Sequence, residues 1–162
     1  MVLDVTHLSD ACFWEALDLF KGPLWASHSN CRSIVPDQRQ FYDEQLRELI
    51  ARDAVIGTAF DAWMLVPGWQ RGVSHPSNTT VLLKHVVDHM DHICQLAGNT
   101  NHSALGTDLD GGFGREQSPG DLNTIADLQQ LPALLYQKGY SEMDVSQILH
   151  QNVTGFLRRA LP

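Results

Sequence analysis

Four times along the chain a short apolar run is followed by a loop and then by an amphipathic helical stretch, and this alternation constrains the fold more than any other feature. The first run, residues 2–5, leads into a helix expected over roughly 9–20 and ended by Lys21-Gly22-Pro23. The second, 24–26, leads through Pro36-Asp37 into a helix expected over about 38–52. The third, 54–60, opens a long loop with Pro67, Gly68, Gly72 and Pro76 before a helix over about 79–96 that Gly98 closes. The fourth, 103–106, precedes a glycine-rich loop from Asp110 to Gly120, a helix near 123–138 and two short terminal helices between about 141 and 161.

Repeated βα units require a parallel sheet with right-handed crossovers, which is a doubly wound layer or part of a (β/α)8 barrel. A complete barrel takes about 250 residues, so the 162 residues present correspond to four units, about half of one, in a single partial domain.

Composition narrows the function classes. The formal charge of −8 with no basic stripe excludes a phosphate-backbone partner such as nucleic acid. No run of about 18 apolar residues occurs and the N-terminal segment lacks a basic, then apolar, leader pattern, so neither a membrane span nor a signal peptide is expected. Cys12, Cys31 and Cys94 are an odd number with no C-x-x-C pair, which argues against a disulfide framework or a cysteine zinc site and makes a cytoplasmic location the default expectation.

In parallel α/β folds reactive residues gather at the carboxyl ends of strands. Here the first run ends in Thr6-His7, the second in Ser27-His28-Ser29 and the fourth in Thr107-Asp108, so two imidazoles and a carboxylate are expected on one rim. Neutral imidazole and carboxylate are the donors hydrolytic zinc sites use. A lone strand-end histidine has structural explanations, whereas three such residues at equivalent ends favour a metal site. His85, His89 and His92 fall at i, i+4 and i+7 of the third helix and read as a solvent-facing stripe, with adventitious metal binding as the alternative. Trp63 and Trp69 either line a substrate mouth or pack, and the N-x-T strings at Asn78 and Asn152 matter only in a secreted protein.

The segments LDVTHLSD, PLWASHSNCR, ALGTDLDGGFG and ILHQNVTGFLRRAL resemble, in order and spacing, the C-terminal half of the membrane (renal) dipeptidase family of zinc peptidases, and the likeness covers nearly the whole chain. The resemblance implies the second half of a TIM-type barrel holding two Zn2+ ions. It implies that His7 and His28 are metal ligands, that Asp108 handles the proton of the attacking water, and that Arg32 is the clamp for the carboxylate of a dipeptide or related small amide. The family's first half supplies a His-x-Asp pair and a bridging glutamate upstream of the segments matched here, so the chain is expected to be a fragment that binds at most one metal ion. Zinc-dependent dipeptide hydrolysis by the parent protein is therefore the leading expectation. The alternative is a non-catalytic half-barrel that self-associates as a homo-oligomer, or associates with the missing N-terminal half, through its open strand edges.

Overall fold

The computed structural model describes residues 1–161. Four strands, β1 (Leu3–Asp4), β2 (Leu24–Ala26), β3 (Val55–Thr58) and β4 (Ser103–Leu105), form one sheet in the order β1-β2-β3-β4 with every pairing parallel. A doubly wound sheet reverses its strand order at a switch point. This one adds each strand beside the last in sequence, as one side of a (β/α)8 barrel does.

The helices between the strands are α1 (Asp10–Leu19), α2 (Asp43–Ala51) and α3 (Leu83–Ala97). Ser9 starts α1 by accepting the Cys12 amide, and Gly98, at φ 68°, ends α3 in the left-handed turn that glycine adopts without a Cβ clash. Helix α2 begins five residues later than its sequence pattern suggested. Residues 31–41 instead fold back on themselves, joined by a bridge between Cys31 and Phe41, and the Gln45 side chain accepts the Tyr42 amide where the helix begins. After β4 the chain passes through a 3-10 turn at Ile125–Gln130 into α4 (Leu131–Gln137), then α5 (Glu142–Ser146), one π turn (Gln147–Gln151) and α6 (Asn152–Ala160).

Side-chain alternation divides the sheet into two faces. Leu24, Ala26 and Ile56 pack outward against Phe13, Leu17, Leu46 and Leu49 of α1 and α2. Val55, Ala104 and Trp25 cluster on the other side with Phe156 of α6, whose ring meets that of Trp25 edge-on with centroids 5.7 Å apart. Helix α6 is held there by Asn152, which donates to the carbonyls of Thr100 and Ser103. Part of this second face is thus covered from within the chain, while β1 and β4 each have a neighbour on one side only among the described residues.

Candidate functional site

The carboxyl ends of the strands are drawn together by a few short-range contacts. Asp4, at the end of β1, accepts the amides of Thr6 and of Ser27, at 3.0 and 3.1 Å, and so fastens the exits of β1 and β2 to each other. Burial would raise its carboxyl pKa, but the hydrogen bonds from Ser27 and Thr6 outweigh that and hold it below the ordinary aspartate value. Thr6 Oγ1 accepts the His28 amide at 3.3 Å. Glycine is needed at two places beside this junction, because a Cβ on Gly57 or on Gly106 would collide with the Ser27 carbonyl, which is backbone and cannot swing aside.

His7 and Asp108 both adopt left-handed backbone, at φ 69° and 57°. For a residue with a Cβ this conformation costs about 1–2 kcal/mol, so the surrounding contacts impose it. His7 Nε2 lies 3.0 Å from His28 Nε2, and His28 Nε2 lies 3.9 Å from Asp108 Oδ2. The three expected strand-end residues are therefore brought to one place. Ser27 Oγ sits 2.8 Å from His28 Nδ1 and 3.3 Å from Thr6 Oγ1. If the serine donates to Thr6 it accepts from His28 Nδ1–H, which leaves the lone pair of Nε2 directed at His7. His7 has its pKa lowered, first by burial and then by the positive charge of Arg39, so it is neutral with a lone pair to offer at neutral pH.

In a tetrahedral zinc site with bonds of about 2.0–2.1 Å, two ligand nitrogens stand about 3.3 Å apart, so the His7–His28 pair fits an ion after a small ring adjustment. Among the described residues no group of three or more His, Cys, Asp or Glu is placed to hold a metal. The chain thus offers two imidazoles, one fewer than the three protein ligands a catalytic zinc normally has. All three residues line a cavity of about 520 Å³, together with Arg39, Asp61, Trp63 and Arg71.

Arg32 is turned away from this cavity. Its guanidinium forms a bidentate pair with Asp10 at 2.8 and 2.9 Å, donates to the carbonyls of Gln38 and Gln40, and lies over the Tyr42 ring. The arginine that faces the cavity is Arg39, donating to the His28 carbonyl at 2.8 Å and to Ser29 Oγ at 3.2 Å, with Nη2 3.5 Å from His7 Nε2. Burial pulls its pKa down, and the negative charges of Asp108, Asp4 and Asp61 act against that. The fold-back of residues 31–41 delivers it, and a buried Asn30–Gln40 network fixes the fold-back. Asn30 Nδ2 donates to the carbonyls of Ala59 and Met64, and Gln40 Nε2 donates to Met64 as well.

Asp61 is a second residue the sequence did not single out. Its carboxylate is buried, and Oδ2 accepts from the Trp63 indole at 2.6 Å and from Gln117 at 2.9 Å. Desolvation raises its pKa despite those bonds. The α3 histidines are not the solvent-facing stripe that their spacing suggested. His89 is fully buried, its Nδ1 accepting the Cys31 amide and its Nε2 facing the Leu65 carbonyl. His85 Nδ1 accepts the Leu82 amide at the start of α3, and His92 pairs with Asp43 at 2.8 Å. Trp69 packs against the core around Phe60 and Leu83, while Trp63 lines the cavity.

These features define a parallel α/β protein with an imidazole pair and a carboxylate in a cavity at the carboxyl ends of its strands. The chain belongs to the membrane dipeptidase family, peptidase family M19, whose sequence profile matches residues 1–160. It is 30% identical over 152 residues to a Klebsiella pneumoniae protein encoded in the pqqA 5' region, covering 94% of this chain and 52% of that protein. It is also 30% identical over 161 residues to dipeptidase tcpJ of Claviceps purpurea, covering 98% of this chain and 34% of that one. Among solved structures, a metallopeptidase from Rhodobacter sphaeroides liganded with a phosphinate mimic of the dipeptide L-Ala-D-Ala superimposes with a TM-score of 0.81 at 26% identity, over 98% of this chain and 42% of its own. The family M19 dipeptidase AC superimposes with a TM-score of 0.80, also at 26% identity, over 98% of this chain and 44% of its own. The chain thus spans between a third and about half of the length of these relatives.

Proposed function

We propose that this chain carries one wall of a metal-dependent dipeptidase site, with His7 and His28 as ligands to a divalent ion such as Zn2+, Asp108 as the group that handles the proton of the attacking water, and Arg39 as the clamp for the substrate carboxylate. The observation that carries this reading is the convergence on a single rim of His7 and Asp108 upon His28, whose Nε2 lies 3.0 Å from the first and 3.9 Å from the second. When bound, the ion would supply Lewis acidity and bring the pKa of a water toward neutrality. Ser27 and Thr6 orient the His28 ring, as an outer hydrogen bond to a ligand imidazole does. Asp108 has an oxygen at the cavity wall beside the two imidazoles, within reach of a proton leaving a water there. Arg39 presents a planar fork suited to a carboxylate, and its bonds to His28 and Ser29 hold it so that little freedom is lost when a substrate arrives.

A second reading is favoured by the imidazole count: with two histidine ligands and no third placed beside them among the described residues, the chain alone would be a non-catalytic half-barrel holding a single weak ion. Equilibrium dialysis against zinc, with dipeptide hydrolysis measured in parallel, separates the two. The metal reading expects at most one zinc per chain, lost in His28→Ala, and no binding in that variant would be restored by added substrate. Zinc uptake unchanged by both His7→Ala and His28→Ala would overturn it. Turnover of Ala-Ala by this chain that disappears in Asp108→Asn would exclude the non-catalytic reading.

A further inference from the structure

Three arginines lie near the strand ends, and they differ in what occupies them. Arg32 is taken up by Asp10, whereas Arg39 is braced by the His28 carbonyl and the Ser29 hydroxyl through two of its N–H donors and, among the described residues, carries no ion pair. Arg71 makes no ion pair among the described residues. It lines the same cavity as His7, His28 and Asp108, and its guanidinium carbon lies 4.1 Å from the centre of the Trp63 ring. Stacking on an indole fixes the plane of a guanidinium while leaving its edge donors free, so it holds the group in place without neutralising it. The ring is itself anchored, because its Nε1 donates to Asp61 at 2.6 Å and Gln117 secures the same carboxylate oxygen from the glycine-rich loop. Asp61 therefore anchors the ring through Oδ2, and although its charge is felt by Arg71 the two form no ion pair.

A dipeptide presents one carboxylate at its terminus, and one inward arginine, Arg39, answers it. A second fixed guanidinium with unengaged donors in the same cavity answers a second anionic group. We propose that Arg71, held on Trp63, is a specificity-determining residue that takes the side-chain carboxylate of an acidic dipeptide, so that the site prefers substrates containing Asp or Glu over their amide counterparts. This rests on the dipeptidase reading above. Because Arg71 is exposed, its contribution is that of a solvated charge pair, on the order of a two- to fivefold preference.

Calorimetric titration of the zinc-supplemented chain with Ala-Ala, Ala-Glu, Ala-Gln, Glu-Ala and Gln-Ala tests it. In the wild-type chain at least one Glu peptide should bind about two- to fivefold more tightly than its Gln counterpart. Arg71→Gln should remove that difference while leaving Ala-Ala affinity unchanged, and Arg71→Lys should restore part of it. Trp63→Leu should weaken the discrimination and Trp63→Phe should keep most of it, a pattern that a merely structural role for the tryptophan would not give. Equal binding of acidic and amide peptides overturns the role of Arg71 alone, and so does a loss in Arg71→Gln as large for Ala-Ala as for the Glu peptides, which would make it the terminal-carboxylate clamp. Failure of every peptide to bind, Ala-Ala included, overturns the dipeptide reading together with this one.

Discussion

Acidification should weaken the fold through one residue, His89. Its imidazole is fully buried in α3, accepting the Cys31 amide at 3.1 Å, and burial lowers its pKa from 6.5 to about 4. The folded chain therefore keeps this ring neutral across a range in which the unfolded chain protonates it. The stability it contributes is complete above pH 6.5, falls as pH drops from 6.5 toward 4, and changes no further once the folded form protonates too. A difference of about 2.5 pKa units at 1.36 kcal/mol each is about 3 kcal/mol in total, of which about 2 kcal/mol is lost by pH 5. Urea denaturation at pH 7.5 and pH 5, for the wild-type chain and for His89→Gln, isolates the effect, since all other titrating groups are common to both. The wild-type chain should lose about 2 kcal/mol more than the variant. Equal losses in the two chains would falsify the assignment of the acid sensitivity to this buried ring.

Gly106→Ala, which drives a Cβ into the Ser27 carbonyl, should cost about 1–3 kcal/mol and weaken zinc binding through the adjoining His28, as followed by thermal melting and equilibrium dialysis; unchanged melting and zinc uptake would refute the crowding. Arg32→Ala should lower stability by about 1 kcal/mol, with dipeptide affinity unaffected in calorimetry, because its partners are Asp10 and two loop carbonyls; lost affinity at full stability would return it to the substrate. The strand edges of β1 and β4 that lack a neighbour should make this chain associate, so light scattering at micromolar concentration should find dimers or larger species, and a cooperatively melting monomer would show the edges to be protected.

The four strands and the three crossover helices were legible because each apolar run is bounded by turn residues and each helix carries a 3.6-residue apolar stripe. The same logic located His7, His28 and Asp108, since position at a strand end is encoded in linear order. Arg39 escaped it. Pro36-Asp37 reads as a helix entry, which would have placed residue 39 within α2, whereas the Cys31–Phe41 bridge and the buried Asn30–Gln40 contacts keep that stretch in a loop aimed at the cavity. No local propensity announces that the Asn30 backbone amide will donate to the side chain of a residue ten positions on. His89 was misread for a related reason: i, i+4, i+7 spacing identifies a face but not whether that face meets solvent or another loop. Asp61 carried one available signal, its place two residues before Trp63 just past the third strand, but burial of a carboxylate beside an indole is a tertiary fact.

The left-handed backbone at positions 7 and 108 also bears on how this chain can be improved as a reagent. Glycine, which has no Cβ, enters that region without steric conflict and would relieve up to about 1 kcal/mol at each position, less its own larger loss of chain entropy. A library ranked by melting temperature alone would therefore enrich for the loss of His7 and Asp108, and would yield hardier proteins stripped of the groups assigned here to the metal and to the proton. A selection meant to preserve chemistry has to hold these two positions constant and look for stability elsewhere.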